Sequence, residues 1–281
     1  MPTADGPRDE FVRAPAAAPL ARYVAGYAGY WQEGLAPALH RGLPSPYLTL
    51  IFTVEHPLTV ARHPDPAQAP STWRTLIGGL HSAPALIRHD GAQSGIQAMV
   101  TPLGARALLG RPAGELAGVD VDAADLLPGA ESLSDRLADA ASWRERLGLV
   151  DRFLLGRVRA ARSTAGPAPL EAAWTLVQRS AGRLAIAEVA ARVGLAERAL
   201  RRGFAAEFGL APKQAARVAR FDGVRRGLAS GRRLADLAAG FGYADQAHLT
   251  REFAGFAGLP PAAWLAEAQA HGEPLGTEPV G

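Results

Sequence analysis

An internal repeat in the C-terminal third constrains the fold of this 281-residue chain more than any other feature. Residues 186–197 align with residues 234–245 at an offset of 48, and each aligned pair is identical or similar except Arg192 against Gly240. After a one-residue insertion, five further pairs match at an offset of 49: Leu200/Leu249, Arg202/Arg251, Phe204/Phe253, Gly209/Gly258 and Pro212/Pro261. Each copy has the pattern of a helix, a glycine turn, a second helix and a Gly-x-x-Pro exit. The repeat therefore predicts two helix-turn-helix units.

The turn and the apolar positions of each copy support this interpretation. Gly194 and Gly242 stand at the turns, where glycine tolerates a positive φ. Residues 214–229 are helical by pattern and are closed by Gly231, so we expect a long helix that joins the two units rigidly. The residues predicted to face inward are Val189, Val193, Leu200 and Phe204 in the first unit and Leu237, Phe241, Leu249 and Phe253 in the second.

The second helix of each unit presents a polar face that can read DNA. These recognition helices are expected at about residues 197–208 and 245–256, and the second helix of such a unit enters the major groove. Arginine pairs with guanine and glutamine with adenine at base edges. The predicted DNA-binding residues are Arg198, Arg201 and Arg202 in the first helix and Gln246, His248, Thr250 and Arg251 in the second. The alternative is that some of these arginines contact phosphates or have a structural role.

The two faces differ, and so do the predicted roles. The face of the second copy is chemically varied, which suits base discrimination, whereas the all-arginine face of the first suits electrostatic attachment. Net charge agrees with this placement: residues 1–182 are neutral, residues 183–264 carry +6, and the tail is acidic. A basic segment beside a neutral one favours an anionic partner, although an ordinary arginine-rich surface is the alternative.

The N-terminal half has a different character, rich in strands first and in helices later. We expect short strands at 47–60 (two strands or one bent strand), 73–80, 85–89 and 95–100, and helices at 103–109, 130–140 and 141–160. Residues 1–19 are expected to be loose or partly helical. The predicted fold class is therefore α+β, with a small β-rich domain, for which a cupin-like barrel is one candidate form, followed by an all-α domain.

Composition limits the chemistry that the chain can perform. No cysteine is present, which excludes disulfides, thiolate metal sites and a cysteine nucleophile. Five histidines fall in the N-terminal half without the spacing of a metal site, so neither a metal nor a cofactor is expected. There is no Gly-x-Ser-x-Gly elbow and no glycine-rich phosphate loop, so no catalytic residue is predicted, although residue types alone do not exclude a Ser-His-Asp enzyme. Five aromatic residues either line an apolar pocket or form the core: Tyr27, Tyr30, Trp31, Phe52 and Trp73.

Residues 170–268 resemble the DNA-binding domain of the AraC/XylS family of bacterial transcription regulators. The resemblance rests on residues 238–253, which fit the family pattern Gly-Phe/Tyr-x-Asp/Ser-x-x-x-Phe/Leu, and on the exit from Gly258 to Pro261. The N-terminal half resembles the sensor-like domains of actinobacterial members, through residues 101–110 and 115–116. Ala185 and Ala196 depart from the family, which often has Ser or Thr caps there, and Gly203 interrupts the first recognition helix. The first unit is therefore expected to be softer than the second.

The resemblance implies a sequence-specific regulator, more often an activator, that is controlled by its N-terminal domain. Expected domains are a sensing or dimerising domain at 1–161, a linker at 162–169, the DNA-binding domain at 170–268 and a tail at 269–281. Double-stranded DNA is the expected partner. Candidate partners are RNA polymerase, a small-molecule effector and a second copy of the chain. No apolar run is long enough to span a bilayer, so we expect a cytoplasmic protein. The alternative is an enzyme whose N-terminal catalytic domain is tethered to DNA by the C-terminal module.

Overall fold

The computed structural model describes residues 8–161 and 165–270. Residues 162–164 of the predicted linker, and the predicted tail from residue 271 onward, lie outside the described residues. The strands of the described part are β1 (Arg8–Ala14), β2 (Val24–Glu33), β3 (Ala38–Gly42), β4 (Leu48–Thr53), β5 (Leu58–Arg62), β6 (Ser71–Trp73), β7 (Thr75–Gly78), β8 (Ala85–His89), β9 (Gln93–Val100) and β10 (Asp120–Asp122).

These strands form two antiparallel sheets that enclose the interior of the N-terminal domain. One sheet has the order β1-β2-β9-β4-β7-β10 and the other has the order β3-β8-β5-β6. Strand β4 shows why the sheets pack as they do, because its side chains alternate between two environments. Leu48, Leu50 and Phe52 belong to the large core beneath the helices, whereas Thr49 and Ile51 line a cavity between the sheets.

Helices cover the outer face of the larger sheet. They are α1 (Pro102–Leu109), α2 (Ala123–Leu126), α3 (Ala130–Asp139) and α4 (Trp143–Ala160), and short 3₁₀ helices occupy Ala18–Leu20 and Ala113–Leu116. The ring of Phe153 on α4 packs edge-on against Phe52 of β4, with 5.8 Å between the ring centres. Thr101 caps α1 by accepting a hydrogen bond from the Gly104 amide, and Gly110 ends it in the left-handed conformation.

The C-terminal domain is helical throughout its described residues. Its helices are α5 (Ala168–Arg179), α6 (Ile186–Arg192), α7 (Glu197–Phe208), α8 (Pro212–Ala229), α9 (Leu234–Gly240), α10 (Gln246–Ala257) and α11 (Pro261–Ala270). The pairs α6–α7 and α9–α10 are the two helix-turn-helix units, and their turns place Gly194 at φ 70° and Gly242 at φ 74°. Helix α8 packs against helices of both units, so the predicted joining helix is confirmed.

Most predicted elements of the N-terminal half are confirmed, with one correction. The prediction that the chain starts loose or partly helical is wrong for residues 8–14, because they form β1 and pair with β2 along their whole length. The propensity of the segment is poor because charged residues and alanine surround Phe11 and Val12, so the partner strand, not the local sequence, decides its conformation. Segment 47–60 forms two strands, β4 and β5, in different sheets.

The two domains meet across several polar contacts. Arg106 of α1 donates two hydrogen bonds to Glu207 of α7, at 2.6 and 2.7 Å. Gln214 of α8 donates to the hydroxyl of Ser82 at 2.7 Å. Arg41 of β3 lies 2.9 Å from the carboxylate of Glu267 on α11. The first recognition helix α7, the joining helix α8 and the last helix α11 are therefore each held against the β-rich domain by a side-chain pair.

Candidate nucleic-acid interface

The first recognition helix exposes a row of arginines. Helix α7 spans Glu197–Phe208, as the repeat predicts, and buries Leu200 and Phe204. The side chains of Arg198 and Arg202 are exposed one turn apart on the opposite face, and Arg201 is exposed beside them. Arg201 also forms an ion pair with Glu197 of the same helix. Part of the positive charge of Arg201 is therefore compensated within the helix, whereas Arg198 and Arg202 form no ion pair with any side chain in the described part of the chain.

The second recognition helix has a more varied surface. Helix α10 begins at Gln246, one residue later than predicted. The side chains of Gln246 and Arg251 are exposed on this helix. Thr250 lies half-buried one turn beyond Gln246. His248 turns back toward the turn: its ring meets Tyr243 edge-on at 5.2 Å, and Nδ1 accepts a long hydrogen bond from the Ala244 amide at 3.4 Å. The geometry therefore points to Gln246, Thr250 and Arg251 as the residues best placed to reach a partner.

The two recognition helices differ in how they begin. Asp245 caps α10, because its carboxylate accepts a hydrogen bond from the His248 amide at 2.6 Å. The corresponding residue before α7 is Ala196, which has extended backbone angles but no side-chain acceptor. Ala185 likewise leaves α6 without a side-chain cap. Helix α9 of the second unit also lacks a side-chain cap, since Arg233 stands at that position, so the two units differ only at the start of the recognition helix.

Gly203 is unfavourable for helix formation, but it allows close packing between α7 and α5. A Cβ atom at this position would lie 3.1 and 3.2 Å from the methyl groups of Leu170 on α5, closer than ordinary van der Waals contact. Glycine thus lets α5 approach α7, and this close approach offsets part of the roughly 1 kcal/mol that glycine costs inside a helix.

A polar cluster that the sequence reasoning missed anchors the second recognition helix. Glu252 of α10 accepts a hydrogen bond from Arg217 of α8 at 2.8 Å and another from the Tyr243 hydroxyl at 3.1 Å. Burial, followed by the neighbouring Glu252 carboxylate, raises the pKa of Tyr243. The first copy has Leu195 and Gly203 at the aligned positions. The sequence could have indicated the cluster only through this difference between the copies. The difference does not identify Arg217 as the partner of Glu252.

A cavity of about 220 Å³ lies between the two sheets of the N-terminal domain. Its walls are mainly apolar and aromatic, and they include Ile51, Val60 and Ile87 together with Tyr27 and Tyr30. The sequence leaves open whether these two tyrosines line a pocket or form the core. Tyr30 lies in the cavity wall, whereas Tyr27 also belongs to the core beneath the helices, where its hydroxyl donates to Asp151 of α4 at 2.7 Å. Arg13 and Arg41 add positive charge at this wall, whereas Asp120 is its acidic residue.

The helical domain closes part of this cavity. Arg225 of α8 and Trp264 and Ala268 of α11 belong to its lining. Arg225 is buried and donates a hydrogen bond to Asp222 at 2.7 Å. The Trp264 ring lies 5.6 Å from Phe253, a core residue of the second recognition helix. A molecule in this cavity would therefore touch both domains. Only the side chain of Trp264 would separate it from Phe253 of α10.

A Ser-His-Asp arrangement exists at one edge of the cavity, but its geometry does not suit nucleophilic catalysis. The Nδ1 atom of His63 lies 2.6 Å from Asp120, and its Nε2 atom lies 3.3 Å from the hydroxyl of Ser71. However, the Ser71 hydroxyl donates to the backbone oxygen of Ala69 at 2.8 Å, so its hydrogen points away from the imidazole. Ser71 also does not belong to the cavity lining. The alternative of a catalytic N-terminal domain gains no support here.

The structure brings together one group of potential metal ligands that the spacing of the histidines in the sequence does not indicate. Glu33, Glu55 and His56 place ligand atoms within 4.8 Å of one another. However, the Glu33 carboxylate accepts a hydrogen bond from the Trp31 indole, and His56 Nδ1 lies 3.1 Å from the Ser94 hydroxyl. Both groups thus have protein partners, and the cluster is typical of exposed acidic surface.

Within the described residues, no helix is both long and apolar enough to cross a membrane.

Comparison with known proteins agrees with this geometry. Residues 189–267 match a helix-turn-helix domain family of the AraC type, so the resemblance of the C-terminal domain is confirmed. Residues 12–122 match a domain of unknown function (DUF6597). No curated protein matches the sequence significantly.

Solved structures of ToxT from Vibrio cholerae share the fold over nearly the whole chain. An apo ToxT variant has a TM-score of 0.54 at 10% identity and covers 86% of this chain and 96% of its own. ToxT bound to an unsaturated fatty acid has a TM-score of 0.52 at 9% identity and covers 85% and 94%. ToxT bound to (E)-4-(8-methylnaphthalen-1-yl)but-3-enoic acid has a TM-score of 0.51 at 10% identity and covers 85% and 97%. The β-rich domain followed by a double helix-turn-helix domain is thus a known architecture.

Proposed function

We propose that this chain, which carries a helix-turn-helix domain of the AraC type on a ToxT-like fold, is a sequence-specific DNA-binding transcription regulator. The observation that carries the proposal is the matched pair of recognition helices, each with its apolar side buried and its polar side exposed. Arginine and glutamine side chains on such a face match the hydrogen-bonding edges of guanine and adenine. The basic net charge of residues 183–264 supplies attraction to the phosphates.

The two recognition helices are proposed to enter successive segments of the major groove on one face of the DNA. Helix α8 contacts helices of both units, which supports a fixed spacing between the two recognition helices. Their binding sites would then lie about one helical turn, roughly 34 Å, apart. Within this arrangement, Gln246, Thr250 and Arg251 discriminate bases, whereas Arg198, Arg201 and Arg202 mainly hold the phosphates. His248 supports the turn that positions the second helix.

The N-terminal domain is proposed to control DNA binding through an effector in the cavity. Arg225 and Trp264 reach the cavity from the helical domain, so an occupant would bias the relative placement of the two domains. The lining combines apolar walls with the guanidinium groups of Arg13, Arg41 and Arg225, of which Arg41 also pairs with Glu267 and Arg225 with Asp222. This chemistry suits an apolar molecule with an acidic group. The ToxT structures with an unsaturated fatty acid and with a naphthalenyl butenoic acid are consistent with that class.

Activation of transcription, with RNA polymerase as the further partner, is the proposed output. It rests on the AraC/XylS family resemblance alone, because members of that family more often activate transcription.

The proposal is tested by selecting DNA from a random double-stranded library with the purified full-length chain. We expect enrichment of a two-part motif, and we expect binding to the selected site to weaken steeply as salt rises. A library that shows no enriched motif after repeated rounds, with and without an added unsaturated fatty acid, would overturn the proposed function. The fatty-acid arm separates a protein that needs an effector from one that does not read DNA.

A further inference from the structure

Strand β1 is the open edge of the larger sheet. All seven of its residues pair with β2 in one continuous register, and β1 is the last strand on that side of the sheet. The other three sheet edges are shorter, with five residues in β3 and three each in β6 and β10. Among the described residues, β1 therefore presents the longest row of backbone N–H and C=O groups without a strand partner. Such an edge is a template for pairing with another strand.

The side chains of β1 make this edge apolar at its centre and charged on either side. Phe11, the middle residue, is 38% exposed and is one of two large apolar side chains exposed in the described structure. Asp9, Phe11 and Arg13 alternate with residues that face the helices, so they share the face that is turned toward the cavity. Phe11 and Arg13 both line the cavity, and the Arg13 guanidinium lies 5.3 Å from the Phe11 ring centre.

We infer that two copies of this chain associate through antiparallel pairing of β1 with β1 of the second copy, centred on Phe11. In this register Phe11 lies opposite the Phe11 of the partner, and Asp9 lies opposite Arg13 twice, once on each side of the two-fold axis. Glu10 then faces Val12, and Arg8 faces Ala14, so no like charges oppose each other. Cross-strand aromatic and opposite-charge pairs stabilise an antiparallel ladder, and like charges destabilise it.

The charged side chains of β1 favour pairing with the β1 strand of a second copy over pairing with an unrelated strand. Charged residues on an edge strand ordinarily prevent pairing, because an arbitrary strand leaves them unmatched. Here the pattern is complementary to itself when it is reversed, which is what an isologous two-fold interface requires. The larger sheets of the two copies would become continuous, and the paired Phe11 rings would flank both cavities. This inference does not depend on the proposed function.

A charge-swap experiment on the full chain tests the pairing. Sedimentation equilibrium of the wild type should show a species of twice the 29.4 kDa chain mass. Asp9→Arg alone and Arg13→Asp alone should each raise the dimer Kd about 10-fold or more, because each variant sets like charges opposite each other twice. An equimolar mixture of the two single variants should form a heterodimer, since the two substituted positions then face each other with opposite charges. The double variant should regain the wild-type Kd.

The mixture also separates an interface effect from a folding defect. Asp9 accepts a hydrogen bond from Gln32 at 2.8 Å, so Asp9→Arg costs one intrachain contact. A misfolded variant would not recover its association when mixed, whereas an intact one with the wrong charge would. A wild-type chain that stays monomeric at about 100 µM, a concentration that would populate even a weak dimer, overturns the inference. So does a dimer whose Kd is the same in the wild type and both single variants.

Discussion

Arg106 of α1 donates two hydrogen bonds to Glu207 of α7, and this pair joins the β-rich domain to the first recognition helix. The Glu207 side chain is only 5% exposed, whereas that of Arg106 is 29% exposed. The hydrogen bonds to Glu207 raise the pKa of the Arg106 guanidinium. Because a buried carboxylate is costly without its partner, the position of α7 relative to the N-terminal domain depends on this pair.

Removal of Arg106 should therefore loosen the first recognition helix. We expect Arg106→Ala to destabilise the chain by roughly 2 kcal/mol, because Glu207 is left buried and unpaired. Urea unfolding followed by circular dichroism measures the change. The matched control is Arg111→Ala, which breaks the exposed Arg111–Glu115 pair and should cost less than about 0.5 kcal/mol. Equal effects of the two substitutions would show that the interdomain pair has no special role.

The difference in helix caps predicts opposite effects at the two N-cap positions, Ala196 before α7 and Asp245 before α10. Ala196→Ser should stabilise the chain by about 0.5–1 kcal/mol, because Ala196 already has the extended backbone of a capping residue but no acceptor. Asp245→Ala should destabilise it by about 1 kcal/mol through loss of the bond to the His248 amide. Thermal unfolding of both variants beside the wild type checks the two signs. A neutral Ala196→Ser would mean that the first unit is not limited by its helix start.

Trp264 should be required for an effector to influence DNA binding. It lines the cavity and also packs against Phe253 of α10, so Trp264→Phe should change how an unsaturated fatty acid alters DNA affinity. Fluorescence anisotropy of a labelled site, with and without the fatty acid, measures this response. Trp174→Phe is the matched control, since Trp174 is also buried but packs on Phe204 and Phe208, away from the cavity. If both variants keep the wild-type response, Trp264 does not transmit it.

His81 should make the stability of the folded chain sensitive to acid. Burial lowers the pKa of His81 from its ordinary value of 6.5, against an opposing effect of the hydrogen bond to the Ala83 oxygen. The unfolded chain then binds more protons than the folded chain below pH 6.5, so stability is retained above this pH and lost as the pH falls below it. The melting temperature should fall more between pH 7 and pH 5.5 in the wild type than in His81→Gln. Identical pH profiles would contradict this assignment.

The helical domain was predictable because each copy of the repeat can be checked against the other. Two copies with glycine at the same turn and apolar residues at the same offsets leave little freedom, and the starts and ends of α7 and α10 agree with the predicted ones to within one residue. The local pattern is sufficient here because the period of the buried residues decides which face is inside.

The N-terminal edge and the interdomain contacts were not predictable for the opposite reason. Strand β1 owes its conformation to β2, and the two prolines between them, Pro15 and Pro19, indicate a loop but do not specify which strands pair. Arg106 and Glu207 lie 101 positions apart, and no local rule links them. The cavity likewise combines residues from distant strands with Arg225 and Trp264 of the other domain, so residue types suggest an apolar pocket but not its two-domain wall.

The central claim is that both recognition helices enter the major groove, where the second discriminates bases and the first mainly holds the phosphates, and guanine-methylation interference on the selected site tests it most directly. Methylation at N7 blocks the major-groove edge that arginine contacts. We expect two blocks of interfering guanines about 10 base pairs apart. Arg251→Ala should abolish one block and weaken specific binding by about 1–3 kcal/mol, whereas Arg192→Ala, outside the recognition helices, should leave both blocks. A single block, or two blocks that Arg251→Ala leaves unchanged, would contradict the account.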